Sequence, residues 1–379
     1  MSSVVSLLRC STAFALVAFA GGSGAVPARS QQFQPAVSYA THAIVPEAVA
    51  VGDFNNDGRL DLAVQCDRIL DIFFALQNGT FGKRVQTPTD GFEQAIAVAD
   101  LNGDGNADVV TTNQYQAGEV NVLLGNGDGT FQPFVVYPTN TRYAVGVAVA
   151  DLNGDRVPDI VAVNRGKDGS ASVFLGNGDG KFQPEVNYPV GGSARSLVVT
   201  DLNNDGIADL AITAGAAVRV LIGVGDGTFL PHVDYPAGFG AYGIGAADLN
   251  HDGKVDLVVI AGNALNILPG NGDGTFGSKK STPIGTNAMA LAIVDFNHDG
   301  ILDVAATQCD ATCVQGRGPG NVELLLGKGN ASFQSPSLYP VGLIPDSLVA
   351  ADFNRDGFPD VATSNYFSGD ASVLLNTGQ

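Results

Sequence analysis

The sequence is poor in several residue types, and each shortage excludes a class of protein. It has no Trp, four Cys and four His, and only 19 Lys and Arg against 38 acidic residues, for a formal net charge of −19. Nucleic-acid binding is not expected, because a phosphate backbone is bound by neutralising it with Lys and Arg. Membrane insertion is not expected either, since no later segment approaches about 18 uninterrupted apolar residues.

Signatures of common enzyme sites are also missing. No G-x-S-x-G or H-E-x-x-H motif occurs. His251 and His298 lie inside a repeated loop motif described below, and His42 and His232 lie near no candidate nucleophile. We therefore expect no catalytic residues. The alternative is an enzyme assembled from scattered Arg, Tyr and Lys on a loop face.

The N-terminal region has the pattern of a secretory signal. Arg9 precedes an apolar run from Cys10 to Ala20, and small residues follow as far as Ala28. Such a pattern predicts a signal peptide over residues 1–28 and a mature domain over residues 29–379. We therefore expect a secreted protein, extracellular or periplasmic. A buried N-terminal helix is the alternative.

Three cysteines would remain after signal cleavage. Cys309 and Cys313 are close in sequence and lie in an insertion, so in an oxidising compartment they could form a disulfide. Cys66 would then stay outside any disulfide. A zinc site is not expected, because only two of the usual four ligands are present there.

The acidic residues are themselves unbalanced, since only five are Glu and 33 are Asp. The cause is a nine-residue motif, D-[FL]-N-x-D-x-x-x-D, which we call the Asp loop. It occurs seven times, at intervals of 47 to 57 residues. The copies begin at Asp53, Asp100, Asp151, Asp201, Asp248, Asp295 and Asp352. A second phrase recurs between them, for example L-G-N-G-D-G-T-F over residues 124–131.

Each unit contains four short segments with the composition of β-strands, separated by turn residues. In the third unit the predicted strands are residues 145–150, 159–163, 172–175 and 184–188, separated by Gly, Asn and Asp. Seven such units predict an all-β fold, a seven-bladed β-propeller of four-stranded antiparallel blades.

The two ends of the chain indicate a closed ring. The last unit stops after its third strand, and its missing fourth strand matches residues 33–39 at the start of the chain. We therefore expect the N-terminal strand to complete the last blade. Closure of this kind leaves no open sheet edge, whereas a stacked solenoid needs caps.

The Asp loops have the composition of calcium sites. Side-chain oxygens stand at positions 1, 3, 5 and 9, and hard cations such as calcium take six to eight oxygen ligands. Position 7 varies freely, as expected where the main-chain carbonyl is the ligand. The predicted metal ligands are Asp53, Asn55, Asp57, Arg59 and Asp61; Asp100, Asn102, Asp104, Asn106 and Asp108; Asp151, Asn153, Asp155, Val157 and Asp159; Asp201, Asn203, Asp205, Ile207 and Asp209; Asp248, Asn250, Asp252, Lys254 and Asp256; Asp295, Asn297, Asp299, Ile301 and Asp303; and Asp352, Asn354, Asp356, Phe358 and Asp360. Up to seven calcium ions would bring the net charge to about −5.

Position 6 of the Asp loop is Gly in six copies, which suits a turn that needs positive φ. The third copy has Arg156 there and Pro158 at position 8, so we expect it to be the weakest site. The alternative for all seven loops is that Asp, Asn and Gly simply make turns. For the Gly-rich phrases between the loops, hairpin turns are the expected role.

These repeats resemble the FG-GAP repeats of integrin α-subunit head domains and their bacterial VCBS-type relatives, over roughly residues 33–379. The resemblance rests on the D-[FL]-N-x-D-G-x-x-D loops and on L-G-N-G-D-G-T-F. It implies a seven-bladed propeller with calcium held between the first and second strands of a blade. The literal Gly-Ala-Pro element is absent, so the bacterial type is the nearer match.

A ligand is expected on the face opposite the Asp loops. Alternate loops of an antiparallel blade emerge on the same face, which places the Asp loops and the Gly-rich turns together and the variable connections opposite them. Recognition usually resides in such loops. The candidates are Tyr115, Arg142, Tyr143, Arg165, Arg195, Phe239, Tyr242, Arg317 and Tyr366.

Two functions fit the predicted propeller with a ligand site on its variable-loop face. The first is an extracellular recognition or adhesion module for a glycan or protein. The second is a polysaccharide-acting enzyme, a lyase or hydrolase, with its site on the variable-loop face. A scaffold with no ligand beyond calcium is a third.

Overall fold

The computed structural model describes residues 33–42, 45–91, 93–114, 118–166, 168–314 and 318–378. The predicted signal segment, residues 1–28, lies outside these ranges. In the described part of the chain, no helix has the length and apolar character needed to cross a bilayer. The strands form seven four-stranded sheets, here called blades 1 to 7.

The strands follow one another blade by blade. Blade 1 consists of β2 (Pro46–Gly52), β3 (Asp61–Cys66), β4 (Ile69–Ala75) and β5 (Phe81–Pro88). Blade 2 consists of β6 (Glu93–Ala99), β7 (Asp108–Asn113), β8 (Glu119–Leu123) and β9 (Val135–Pro138). Blade 3 consists of β10 (Ala144–Ala150), β11 (Asp159–Asn164), β12 (Ser170–Phe174) and β13 (Val186–Pro189). Blade 4 consists of β14 (Ala194–Thr200), β15 (Asp209–Ala214), β16 (Ala217–Leu221) and β17 (Val233–Pro236).

The remaining three blades repeat this arrangement. Blade 5 consists of β18 (Ala241–Ala247), β19 (Asp256–Ala261), β20 (Ala264–Leu268) and β21 (Lys280–Pro283). Blade 6 consists of β22 (Leu291–Val294), β23 (Asp303–Gln308), β24 (Asn321–Leu325) and β25 (Ser337–Pro340), with the short helix α1 (Ala311–Val314) between β23 and β24. Blade 7 consists of β26 (Pro345–Ala351), β27 (Asp360–Asn365), β28 (Asp370–Leu374) and β1 (Val37–Ala40).

The composition of blade 7 confirms the predicted closure of the ring. The N-terminal strand β1 pairs antiparallel with β28, with Val37 opposite Val373, and Phe33 forms a bridge with Asn376. The first strand of each blade lies innermost and packs against the first strands of both neighbouring blades, including β26 against β2. The all-β, seven-bladed propeller predicted from the repeats is therefore correct.

Aromatic pairs hold adjacent blades together. The Tyr of one outer strand packs edge-on against the Phe that follows the Gly-rich turn of the next blade. The ring centroids are 5.5 Å apart for Tyr137 and Phe182, and 5.4 Å apart for Tyr39 and Phe81. The Tyr39 hydroxyl also accepts a hydrogen bond from the backbone N–H of Phe81, at 3.1 Å. Because Tyr39 belongs to the N-terminal strand, the closing seam has the same contact as an ordinary one.

Two details refine the expected strands. In blade 3 the outer strand begins at Val186 and not at residue 184, consistent with Pro184 having no N–H to donate to a neighbouring strand. The insertion in blade 6 carries α1, which the strand pattern did not predict. Cys309, just before this helix, and Cys313, within it, form a disulfide with Cα atoms 5.3 Å apart. Cys66 is buried and takes no part in a disulfide.

Candidate functional site

The Asp loops connect the first and second strands of each blade, on one face of the ring. In the fourth loop Asn204 and Gly206 have φ of 62° and 84°. Positions 4 and 6 of all seven loops share this left-handed conformation. Only position 6 was predicted to need it. At position 4 the residue is Asn, Gly, His or Arg, so the loop tolerates side chains there.

Short-range hydrogen bonds hold each Asp loop in shape. In the fourth loop the Asp201 carboxylate accepts the backbone N–H groups of Asp205, at 3.2 Å, and of Gly206, at 2.8 Å. The side chain of Asn203 accepts the same Asp205 N–H at 3.0 Å and donates to the Asp205 carboxylate at 2.9 Å. The loop residues are therefore turned inward toward one another.

The aspartate at position 9 is a structural anchor. Asp209 is fully buried, and its carboxylate accepts the N–H of Leu202 at 2.8 Å and that of Gly223 at 2.7 Å. Gly223 begins the Gly-rich turn, so this one carboxylate joins the Asp loop to the turn beside it. Burial, opposed by these hydrogen bonds, raises the pKa of Asp209 to about 6.

The same anchor recurs in every blade. The equivalent residues, which each accept two backbone N–H groups, are Asp61, Asp108, Asp159, Asp256, Asp303 and Asp360. Position 9 thus has a role that does not depend on a metal, in addition to its predicted one.

The donor set of the loops suits a hard cation. Within the described residues, no three His, Cys, Asp or Glu side chains are gathered into a ready metal cluster. In the fourth loop this agrees with the hydrogen bonds that occupy the Asp201 and Asp205 carboxylates. Each loop nevertheless offers carboxylate, amide and carbonyl oxygens and no sulfur or imidazole at its predicted ligand positions, a set that fits calcium or magnesium and not zinc.

Arginine residues in the third and first Asp loops affect the chemistry of those loops. Arg156 in the third loop has φ of 67°, and its N–H donates to Asp151 at 2.8 Å, as Gly206 does in the fourth loop. The expected left-handed arginine is therefore present. In the first loop the Arg59 guanidinium forms an ion pair with the Asp57 carboxylate, a partner that the sequence motif did not indicate.

The opposite face of the ring carries a central cavity of about 450 Å³. Four of the nine predicted ligand-binding residues line it, namely Arg165, Arg195, Tyr242 and Tyr366. Arg142, Tyr143 and Phe239 are exposed and lie outside its wall; Phe239 is 91% exposed. Tyr115 and Arg317 lie outside the described residues. The variable connections therefore do converge opposite the Asp loops, although not all of them reach the centre.

One residue from each blade lines this cavity at the same place in the repeat. These seven residues are Glu47, Gln94, Val145, Arg195, Tyr242, Met289 and Asp346. In six blades the residue sits where the register between the first and second strands shifts, as in β14 between Ala194 and Ser196. A β-bulge leaves an extra residue unpaired and re-aims its side chain. Met289, in the remaining blade, lies just before β22.

The acidic side of the cavity lies where blades 1 and 7 meet. Glu47 is only 4% exposed, and its carboxylate accepts a hydrogen bond from Gln94 at 3.3 Å. Burial, together with the negative charge of Asp346, raises the pKa of Glu47 to about 8. Burial also raises the pKa of Asp346 to about 6. We call Glu47 and Asp346 the acid pair.

The basic side of the cavity lies across the ring, in blades 3 and 4. The Arg195 guanidinium stacks on the Tyr242 ring, 4.1 Å from its centroid. Burial lowers the pKa of Arg195, and the charge of Arg165 lowers it further. We call Arg165 and Arg195 the arginine pair. The five ion pairs among the described residues all lie elsewhere, so neither arginine has a carboxylate partner.

Five of these seven residues were not among the predicted site residues, namely Glu47, Gln94, Val145, Met289 and Asp346. A signal for them exists, because each of the seven residues lies six positions before the first Asp of its loop. Side chains at this position differ in every repeat, whereas those that follow are mostly small and apolar. A comparison of the repeats at that offset would have found all seven.

A closed ring of seven four-stranded blades with one Asp loop each defines an FG-GAP-type propeller, and the family comparison agrees. An FG-GAP-like repeat model matches residues 53–111, 100–162, 151–212, 201–259 and 248–306, and an FG-GAP repeat model matches residues 345–378. The chain belongs to the FG-GAP repeat family.

Known relatives share part of this sequence, and solved structures share its fold. Integrin alpha pat-2 of Caenorhabditis briggsae is 31% identical over 172 residues, which cover 34% of this chain and 14% of the integrin. A lectin of Agrocybe aegerita that recognises non-reducing terminal N-acetylglucosamine has a TM-score of 0.56 at 18% identity, covering 86% of this chain and 87% of the lectin. The exotype rhamnogalacturonan lyase YesX has a TM-score of 0.54 at 15% identity, covering 92% of this chain and 75% of the lyase. The two structural likenesses support the fold alone.

Proposed function

We propose that this protein is a secreted, calcium-binding recognition or adhesion module whose glycan or protein ligand binds in the central cavity. The observation that carries the proposal is the ring of seven cavity-lining residues. Each blade repeats the same backbone yet presents a different side chain at this place. Different side chains at one repeated position that lines a cavity are the pattern of a binding site on a rigid scaffold.

The composition of the cavity also supports binding. Its volume of about 450 Å³ falls within the range of roughly 300–1,000 Å³ typical of small-ligand sites. Tyr242 and Tyr366 supply aromatic surface, and the acid and arginine pairs supply charged hydrogen-bonding groups. The similarity to a lectin propeller is consistent with a glycan ligand.

The recognition proposal can be tested with a glycan array and a panel of extracellular matrix proteins. Tyr242→Ala should abolish binding of any ligand found, whereas Phe239→Ala, an exposed aromatic outside the cavity, should leave it unchanged. Both variants should melt at the temperature of the wild-type protein. Equal loss in the two variants, or no loss in either, would place recognition elsewhere.

A polysaccharide-acting enzyme is the second candidate. The acid pair favours it, because two neighbouring carboxyl groups with pKa values of about 8 and about 6 can act as acid and base near neutral pH. Incubation with the glycans that bind, followed by an assay for new unsaturated or reducing ends, separates the two functions. Turnover with release of product would replace the recognition proposal.

Calcium is proposed from the donor set of the Asp loops. An ion that binds only the folded chain stabilises it, by about 2.7 kcal/mol per site at a hundredfold excess over Kd. Chelation should therefore lower the melting temperature by many degrees, and calcium should restore it. Asp205→Ala should remove about one ion per chain. An unchanged melt, or an unchanged metal content in this variant, would contradict the proposal.

A further inference from the structure

The acidic and basic groups of the central cavity lie on separate walls. The acid pair lies where blades 7 and 1 meet, and the arginine pair lies in blades 3 and 4. In a ring of seven these positions are nearly opposite. The cavity therefore presents a wall of carboxyl groups and a wall of guanidinium groups across an open space, and no ion pair among the described residues joins the two walls.

Each wall lacks a counter-ion within the described residues. Arg165 and Arg195 are close enough for one charge to disfavour the other, and neither contacts a carboxylate. Arg195 is held in place by the Tyr242 ring. Two neighbouring guanidinium groups without a carboxylate partner suit a planar anion such as a carboxylate, which accepts two parallel hydrogen bonds.

The acidic wall suits hydroxyl groups. Glu47 and Gln94 are hydrogen-bonded to each other, and Asp346 lies beside them. Carboxyl and amide groups both accept and donate hydrogen bonds to hydroxyl groups. An occupant with one carboxylate at one end and several hydroxyl groups at the other would satisfy both walls.

We propose that the central cavity binds an acidic saccharide, with a uronic-acid carboxylate on the arginine pair and ring hydroxyl groups on the acid pair and Gln94. This inference rests on the proposed recognition function and names its ligand class. The rest of the molecule sharpens the class, because even a calcium-loaded chain with a net charge of about −5 repels long polyanions. A short saccharide with few carboxylates experiences the arginine pair without much of that repulsion.

Titration calorimetry with digalacturonate, and with the same disaccharide methyl-esterified at its carboxylates, tests the assignment. The acid should bind, and the ester should bind at least about tenfold more weakly, since a hydrogen bond to a charged group is typically worth that factor or more. Arg195→Gln should weaken binding of the acid by about the same factor. Its effect on the ester should be small, because the ester has no carboxylate to lose.

Matched variants separate the site from general charge. Arg142→Gln removes an exposed arginine outside the cavity and should change the affinity less than twofold. Melting curves of all variants in calcium report whether each is folded.

Other results would overturn part or all of the proposal. Equal binding of acid and ester, or equal effects of Arg195→Gln and Arg142→Gln, would overturn the carboxylate assignment. Binding of triglutamate but not of digalacturonate would overturn the saccharide assignment. If a neutral glycan binds in the cavity, recognition stands and the acidic class is wrong. If neither the array nor the protein panel yields a ligand, both proposals fail.

Discussion

At the Asp-loop face every blade repeats the same hydrogen bonds, whereas at the cavity face every blade presents a different side chain. Asp209 and its six counterparts each accept two buried N–H groups, so the loop face is satisfied within the chain. At the cavity, Arg195 and Glu47 occupy equivalent places in their blades, although one is a basic residue and the other an acidic one. The loop face therefore maintains the fold, and the cavity face is free to vary.

The β-bulge explains how one repeat can combine a constant loop face with a variable cavity face. Beyond the bulge, the first and second strands of each blade pair residue by residue, and the blade is fixed by its buried Val, Ala and Ile. A bulged residue such as Arg195 lies outside that register, and changing it disturbs no ladder hydrogen bond. The fold thus separates the positions that anchor the Asp loops from the positions that line the cavity.

The largest expected effect comes from removing one position-9 aspartate from the loop face. Asp209→Ala leaves the N–H groups of Leu202 and Gly223 buried without a partner, each at a cost of about 1–3 kcal/mol. We expect a loss of about 2–5 kcal/mol in the free energy of unfolding, measured by urea denaturation in EDTA. Asp205→Ala, at an exposed position of the same loop, should cost well under half of that. Equal losses would mean that position 9 is no anchor.

The acid pair provides a second test through pH. The pKa of Glu47 is raised to about 8 in the folded chain. Its stabilising contribution is therefore complete below its unfolded pKa and is lost as pH rises toward 8. The groups that act on it are Asp346 and Asp67, whose negative charges raise its pKa, and Gln94, which donates to it, while Tyr366 lies close enough to respond to its charge.

Glu47→Gln should remove this pH dependence. As the pH rises from 5 to 9, the free energy of unfolding of the variant, relative to that of the wild-type protein, should increase by on the order of 2–4 kcal/mol. Asp346→Asn is the matched variant; its smaller gain should be confined to the range from about pH 4 to pH 6. Parallel stability curves for wild-type and Glu47→Gln proteins would show that the acid pair is solvated like an ordinary surface carboxylate.

The smallest expected effect concerns the loop that departs from the repeat. Arg156→Gly should relieve a left-handed backbone that costs a non-glycine residue on the order of 1 kcal/mol, raising the free energy of unfolding by up to about that amount in EDTA. Gly206→Arg makes the reverse change in the fourth loop and should lower it similarly. If neither substitution has an effect, the loops tolerate arginine at position 6 as they do at position 4, where Arg355 has φ of 60°.

The sequence by itself determined the architecture. Seven copies of one motif set the number of blades, and the strand missing at one end and present at the other determined how the ring closes. Both follow from local pattern, because strands and tight turns are specified by residues close together in the chain. The left-handed position of Arg156 was predictable for the same reason.

Only the tertiary structure decided which variable residues meet. Arg142 and Arg195 look alike in sequence, each in a link between blades, yet only Arg195 reaches the cavity. Glu47 and Asp346 are 299 positions apart and become neighbours because the ring closes between their blades. Side-chain direction at a bulge and proximity across a closed ring depend on long-range packing, which no local pattern contains.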